Sequence, residues 1–236
     1  ERWGGVVATG GRGALAWDAG DFGIYGYGSY HALNGNNVAD NFRVEGGGGF
    51  YAHLLRGDTH TITAGMNIGL LHYDKNLSYF TFGHGGYFSP QRYIGLDFPV
   101  SWSGKQNRLA WRVNASLGVQ SFTQDETPYF PTDSTRQSQV REAMAQATEV
   151  GLNNTIFTGF YPSTSRTGLA YNLGAALEYQ VAPQLFLGGT VGLSNARNYR
   201  QFTGNVYLRY LFDNKGSALL NTPPSLSPLT SPYTPL

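Results

Sequence analysis

Seven segments of the chain alternate apolar residues with small or polar residues at a period of two, which predicts β-strands. In the segment 42–54, Phe42, Val44 and Phe50 lie on one side and Arg43 and Glu45 on the other. The apolar sides of all seven segments carry no charged residue, although 13% of the chain is charged. The other six segments are 62–70, 94–102, 109–119, 169–179, 185–193 and 202–212. This pattern predicts a sheet whose apolar face contacts lipid.

The opposite sides of these strands combine Gly, Ser, Thr and Asn with scattered charged residues, which cannot form a dry core. A β-sandwich would show the reverse arrangement, with a filled core and a charged solvent face. The chain is therefore predicted to be all-β, an antiparallel transmembrane β-barrel of the outer-membrane type with a watery lumen. The charged lumen residues either hydrogen-bond a passing substrate or pair across strands and keep the inner wall of the barrel hydrated. They are Arg43, Glu45, Asp97, Arg112, Glu178 and Arg209.

Composition supports a large β structure and excludes several classes of site. The 236 residues include 32 Gly, 16 Tyr and 14 Phe, and no Cys, which rules out disulfide scaffolds and thiolate metal sites. A net charge of +1 gives no reason to expect a nucleic-acid partner. No apolar run is long enough for a membrane helix. No signal-peptide pattern opens the chain, so we expect a signal to lie outside this sequence or to have been removed.

Nine strands are predicted, joined by alternating short and long connections. The strands are 5–18, 22–32, 41–55, 60–73, 91–103, 108–122, 166–180, 184–194 and 201–212. The short connections are 19–21, 56–59, 103–107 and 181–184, and the longer ones are 33–40, 74–90, 122–165 and 194–200. Outer-membrane barrels have short periplasmic turns and long extracellular loops, and bacterial single-chain barrels have even strand numbers. Residues 1–213 are therefore interpreted as the C-terminal portion of a longer barrel.

Two segments do not fit a strand. Residues 134–148 are rich in helix formers, and Ser134 and Gln137 have the spacing of a capping box, so a short helix is predicted in an extracellular loop. Residues 214–236 contain five prolines and form a Pro-rich C-terminal tail, predicted to be extended or disordered. Our hypothesis is that this apolar tail re-enters the lumen. The alternative is a flexible periplasmic end.

The loop 76–90 is unusually aromatic for a solvent-facing connection. It contains Tyr79, Phe80, Phe82, Tyr87 and Phe88 around His84 and three glycines. Pyranose rings present apolar C–H faces that stack on aromatic rings, so one interpretation is a gate or exit for a glucan. The other is that the rings pack on one another and close the barrel, and the two are compatible. His84 is interpreted as a hydrogen-bonding loop residue rather than a metal ligand.

The sequence of this loop also carries a family resemblance. The stretch 73–91, YDKNLSYFTFGHGGYFSPQ, together with 36–43, 167–174 and 207–210, resembles the C-terminal outer-membrane β-barrel domain of the cellulose synthase export subunit (BcsC family). The resemblance implies a 16-stranded barrel in the bacterial outer membrane that conducts nascent cellulose, a β-1,4-glucan. It also implies partners beyond cellulose and outer-membrane lipid, namely the periplasmic and inner-membrane synthase subunits. Those would be reached through N-terminal tetratricopeptide repeats, which these residues do not contain.

No catalytic, metal or cofactor site is predicted. Asp97 and Glu178 lie on separate strands with no sign of the separation that glycoside hydrolysis requires, and the serines and histidines form no nucleophile and base pattern. The predicted function is export of cellulose and not enzymatic. Three alternatives without catalysis stay open: a general porin, an exporter of another exopolysaccharide, and a barrel anchor that displays 122–165 as an adhesive surface. An outer-membrane phospholipase or protease is a fourth.

Overall fold

Most of the chain forms one nine-stranded antiparallel sheet. A computed structural model describes residues 4–149, 158–196 and 199–212. The sheet strands follow one another in chain order: β1 (Gly4–Asp18), β2 (Phe22–Asn36), β3 (Val38–Arg56), β4 (His60–Tyr73), β5 (Arg92–Gln106), β6 (Leu109–Gln124), β9 (Thr164–Ala182), β10 (Leu185–Ala196) and β11 (Tyr199–Tyr210). Between β6 and β9 lie a two-stranded ribbon, β7 (Thr127–Pro128) and β8 (Phe160–Tyr161), and a helix, α1 (Ser134–Glu149). The nine predicted strands are confirmed, with ends that differ by a few residues.

The sheet is open over the described residues, with β1 and β11 as its edges and no pairing between them. No helix in the described ranges is long and apolar enough to cross a membrane. The predicted tail, 214–236, and its proposed return to the lumen lie outside the described residues.

The predicted long connection 33–40 is wrong. β2 continues to Asn36 and β3 begins at Val38. Gly35 pairs with Val38, so Asn36 and Asn37 make the turn, and Asn37 has a left-handed φ of 54°. Asparagine tolerates this conformation better than most residues with a side chain. The polar sequence of the segment suggested a loop, but the Asn34 side chain donates to Asp40 Oδ1 across the turn at 2.8 Å and extends the hairpin.

The helix prediction is confirmed, but its predicted cap is wrong. Asp133 is the residue that caps α1, because its Oδ1 accepts from the Arg136 N–H at 2.9 Å. The Gln137 side chain does not turn back to cap the helix. It donates to the Gly159 carbonyl at 2.8 Å and accepts from the Phe130 N–H at 3.0 Å, so it links the chain just after β7 to the chain just before β8.

Strand register places the apolar positions of neighbouring strands side by side. Ile68 is opposite Leu96, Leu96 is opposite Val119, and Val119 is opposite Leu169. All four side chains are exposed. We call this side of the sheet the apolar face and the other side the polar face. An exposed apolar surface of this extent is atypical of water-soluble proteins and is typical of surfaces that contact a membrane or another protein.

Aromatic rings border the apolar face at both ends of the strands. We call these ends the short-turn end, which carries the connection 19–21, and the long-loop end, which carries 74–91. Trp17 and Phe22 meet edge to face at 5.5 Å near the short-turn end, and Tyr30 stacks on Phe42 at 5.9 Å near the long-loop end. Phe22 and Tyr30 are eight residues apart on β2, roughly 27 Å along a strand and roughly 21 Å across a membrane at a tilt of about 40°. This spacing matches the apolar band of a membrane barrel, whose height is about 25 Å.

Candidate functional site

The segment that joins β4 and β5, residues 74–91, folds over the polar face at the long-loop end. We call it loop A. Its Leu77 and Tyr87 are buried in a cluster with Leu33, Leu71 and Tyr73, which project from the polar face. A loop that extended into solvent would leave these side chains exposed. Loop A therefore covers this end of the polar face.

Backbone and side-chain hydrogen bonds fix loop A to the hairpin of β2 and β3. Asn41 accepts from the Lys75 N–H and donates to the Lys75 carbonyl, both at 2.9 Å. The Ala39 N–H donates to the Gly83 carbonyl at 2.9 Å, and Gly83 has a φ of 98°, which favours glycine. Loop A is thus held in a defined position on the sheet.

A second segment, residues 125–163 between β6 and β9, packs on loop A. We call it loop B and describe it without residues 150–157. Tyr161 of loop B stacks on Tyr79 of loop A with ring centroids 3.6 Å apart and planes 7° apart. Tyr129 lies 4.6 Å from Tyr161, and His84 meets both Tyr79 and Tyr161 edge to face at 5.6 Å. We call Tyr79, His84, Tyr129 and Tyr161 the loop cluster, because they join the two loops.

His84 is the polar centre of the loop cluster. Its side chain is fully buried, and Nε2 donates to the Pro128 carbonyl of loop B at 2.9 Å. Within the described residues Nδ1 has no hydrogen-bond partner. Burial lowers the pKa of His84 below its ordinary value, and the bond to the Pro128 carbonyl opposes that shift in part. The cluster therefore favours a neutral His84.

The remaining aromatic side chains of loop A do not share one environment. Phe82 lies under the Arg136 guanidinium at 5.0 Å, and Phe88 meets Phe122 of β6 edge to face at 5.0 Å. Phe80 is 78% exposed. Of the six loop residues predicted as a gate, the structure thus brings together Tyr79 and His84, buries Tyr87 below them and leaves only Phe80 largely in solvent.

The six predicted lumen charges are all on the polar face, but they form separate groups. Glu178 is fully buried and accepts from Arg209 Nη2 at 2.6 Å, Arg209 Nε at 3.1 Å and the Tyr207 hydroxyl at 3.0 Å. The Arg209 guanidinium also lies 4.1 Å from the centre of the Phe186 ring. This group lies near the short-turn end.

Asp97 belongs to a different group, halfway along the strands. It accepts from Asn67 Nδ2 at 3.2 Å and from the Ser116 hydroxyl at 2.9 Å, and the Tyr25 hydroxyl donates to Asn67 Oδ1. In register, Glu178 lies opposite Ala110, whereas Asp97 lies opposite Gly118. The two carboxylates are therefore roughly 27 Å apart along the strands, and the sheet does not bring them together.

The other three predicted charges extend the polar face. Arg43 is buried beside His31, with Nη2 3.2 Å from His31 Nδ1. Glu45 and Arg112 are half-buried on the same side of the sheet. Among the described residues, no group of three or more His, Cys, Asp and Glu side chains is placed to hold a metal ion.

Sequence reasoning missed several tyrosines. Tyr129 and Tyr161 were not singled out because they lie far along the chain from loop A. Tyr25 and Tyr27 alternate with glycines on β2. This alternation is a signal in the sequence that both rings lie on the same face of the strand.

Comparison with known proteins identifies the family. The family model described as "Cellulose synthase operon protein C C-terminus" matches residues 1–213. The chain belongs to the cellulose synthase operon protein C family.

Individual members of the cellulose synthase operon protein C family match nearly the whole chain. The protein of that name from Xanthomonas axonopodis pv. citri is 48% identical over 234 residues, which is 98% of this chain and 15% of the relative. The Pseudomonas fluorescens protein is 43% identical over 232 residues, 98% of this chain and 17% of the relative. The Escherichia coli K12 protein is 31% identical over 212 residues, 89% of this chain and 17% of the relative. The chain thus spans about one sixth of the length of these relatives, whose names refer to cellulose synthesis.

Proposed function

We propose that this chain is the membrane-embedded part of an outer-membrane channel that conducts nascent cellulose out of the cell. In this proposal the sheet is part of a closed barrel, and its edge strands β1 and β11 pair with strands outside this chain. The apolar face contacts lipid, the polar face lines the lumen, and the short-turn end faces the periplasm. The chain itself has a conducting role and no catalytic one.

The observation that carries the proposal is the separation of the two faces of the sheet. The apolar face exposes aliphatic residues over a height that suits a bilayer and is bordered by aromatic rings. The polar face combines hydroxyl, amide and charged groups with tyrosine rings. A neutral polysaccharide needs such a wall, since many weak contacts guide a chain whereas a tight site would hold it in place.

Loops A and B favour a gated exit. Loop A covers the polar face at the long-loop end, and loop B is joined to loop A through the loop cluster. An anchor that displays an adhesive loop would have no need to fold that loop back over the lumen. We infer that the two loops form a lid that opens for the emerging glucan.

Recordings in planar lipid bilayers test this function. The complete protein that carries this chain is reconstituted, and cello-oligosaccharides are added at the short-turn side, with maltooligosaccharides of the same length as the control. We expect brief interruptions of the current with the β-1,4-linked sugars and fewer with the α-1,4-linked ones. Equal interruption by both would favour a general porin, and a protein that conducts no current would contradict a channel.

A matched cellular test uses a cellulose-secreting bacterium that lacks its own copy of the protein. Supplying the intact gene should restore extracellular cellulose. Cellulose released normally in the absence of the protein would contradict an export role.

A further inference from the structure

The polar face carries a row of tyrosines along the seam between β2 and β3. In the register of these strands Tyr51 is opposite Gly23, Tyr25 is opposite Gly49, and Tyr27 is opposite Gly47. These are three successive positions that project from the polar face, with steps of about 7 Å along the strands. The row therefore runs in the direction in which a polymer would cross the membrane.

The rings of Tyr51 and Tyr27 lie across the glycine on the neighbouring strand, and Tyr25 places its hydroxyl group over Gly49. A Cβ atom at Gly23 would lie 2.5 Å from Tyr51 Cζ, and one at Gly47 would lie 2.9 Å from Tyr27 Cε1. At Gly49 the same atom would lie 2.9 Å from the Tyr25 hydroxyl. Real Cβ atoms do not approach so closely, so the absence of a side chain on these glycines lets the rings lie against the backbone. We call Tyr51, Tyr25 and Tyr27 the tyrosine strip.

The hydroxyl groups of Tyr51 and Tyr25 and the ring of Tyr27 contact other side chains, which hold the rings in place. The Tyr51 hydroxyl donates to Asp18 Oδ2 at 2.5 Å, and the Tyr25 hydroxyl donates to Asn67. At Tyr27 the guanidinium of Arg12 lies 4.6 Å from the ring centroid. This position presents a planar cation with N–H donors rather than a bare phenol ring. All three tyrosines remain half-exposed on the polar face.

We propose that the tyrosine strip is a binding track for the glucan inside the lumen, which rests on the proposed export function. A β-linked glucan is an extended ribbon with apolar C–H faces and hydroxyl groups along its edges. The ring faces of Tyr51 and Tyr25 stack against the C–H faces. Arg12, held over the Tyr27 ring, and Asp18 and Asn67 offer donors and acceptors for the hydroxyls. At the next polar-face positions the seam continues past Glu45 and Arg43 to Asn41, where loop A begins to cover it. The track thus leads from the short-turn end to the lid.

The test measures how long a cello-oligosaccharide interrupts the current through the complete protein. In the double variant Tyr25→Leu/Tyr27→Leu, apolar bulk still covers the glycines but the rings are absent. We expect interruptions about three- to tenfold shorter than in the unaltered protein, which corresponds to the loss of aromatic stacking. Tyr25→Phe/Tyr27→Phe keeps the rings and should retain the long interruptions. Tyr30→Leu, on the same strand but on the apolar face, should also leave them unchanged.

Each result has a defined meaning. Interruptions in the folded Leu variant as long as those in the unaltered protein would overturn the track. Interruptions in the Phe variant as short as those in the Leu variant would also overturn it, because hydroxyl bonding and not stacking would then hold the sugar. The single variants Tyr25→Leu and Tyr27→Leu are recorded as well, so the comparison does not depend on the double variant folding. If the unaltered protein conducts but no sugar interrupts its current, the export function itself fails. If the sugar interrupts the unaltered and Leu channels alike, only the track fails.

Discussion

The stacked rings of Tyr79 and Tyr161, 3.6 Å apart, join two loops that leave the sheet from different strands. Tyr79 belongs to loop A, which packs on β2 and β3, and Tyr161 belongs to loop B, which connects β6 to β9. The Tyr161 hydroxyl is also 3.2 Å from Thr81 Oγ1, so the contact has a polar as well as an aromatic part. Loops A and B are consequently expected to open together.

Removing this stack should weaken the lid. Aromatic pairs contribute about 0.5–1.5 kcal/mol beyond their burial, so Tyr161→Ala is expected to raise the frequency of channel opening about two- to tenfold. Tyr161→Phe keeps the ring and should change it little. Phe80→Ala serves as a second control, because Phe80 is exposed and outside the loop cluster. Single-channel recording measures the opening frequency of all three variants. An unchanged frequency in Tyr161→Ala would mean that the stack does not contribute to gating.

Acid should open the same lid. Burial lowers the pKa of His84, so the folded loop cluster holds the neutral imidazole more favourably than the opened loop does. The stabilisation from neutral His84 is complete above the ordinary value of 6.5 and is lost progressively as the pH falls below it. Channel opening measured at pH 7.5 and at pH 5.5 is therefore expected to be more frequent at the lower pH.

The control for this pH effect is His84→Gln, which retains a side-chain N–H donor for the Pro128 carbonyl but does not titrate. Its opening frequency should depend less on pH than that of the unaltered protein. The same dependence in both proteins would assign the pH effect to another group.

The two faces of the sheet should respond differently to a new charge. Leu96 lies on the apolar face in the middle of β5, opposite Ile68 and Val119, and Ser101 lies on the polar face of the same strand. Leu96→Arg is expected to lower the free energy of unfolding by about 2–4 kcal/mol in lipid, because it buries a charge near the bilayer midplane. Ser101→Arg should cost much less. Urea unfolding in lipid vesicles gives both values, and equal tolerance of the two substitutions would contradict the assignment of the faces.

The strands could be predicted from sequence because their signal is local and repeated. Phe42, Val44 and Phe50 alternate with Arg43 and Glu45, and the structure places the two sets on opposite faces. The turn at Asn37 was harder to predict, because a two-residue turn and a longer polar loop have the same composition. Only the pairing of the flanking backbone distinguishes them. The contact of Tyr79 with Tyr161 depends on the sheet bringing distant segments together. No period in the sequence encodes that contact.

The pair formed by Glu178 and Arg209 offers a test of the polar face near the short-turn end. Glu178 is fully buried, and it accepts both from the Arg209 guanidinium and from the Tyr207 hydroxyl. Arg209→Met removes the counter-charge and leaves a buried carboxylate, a change that typically costs about 3–5 kcal/mol. The double variant Glu178→Gln/Arg209→Met removes both charges and should recover part of that loss, because the remaining amide still accepts from Tyr207. Urea unfolding in lipid measures the two variants. A double variant no more stable than Arg209→Met would mean that the buried charge of Glu178 is not the source of the loss.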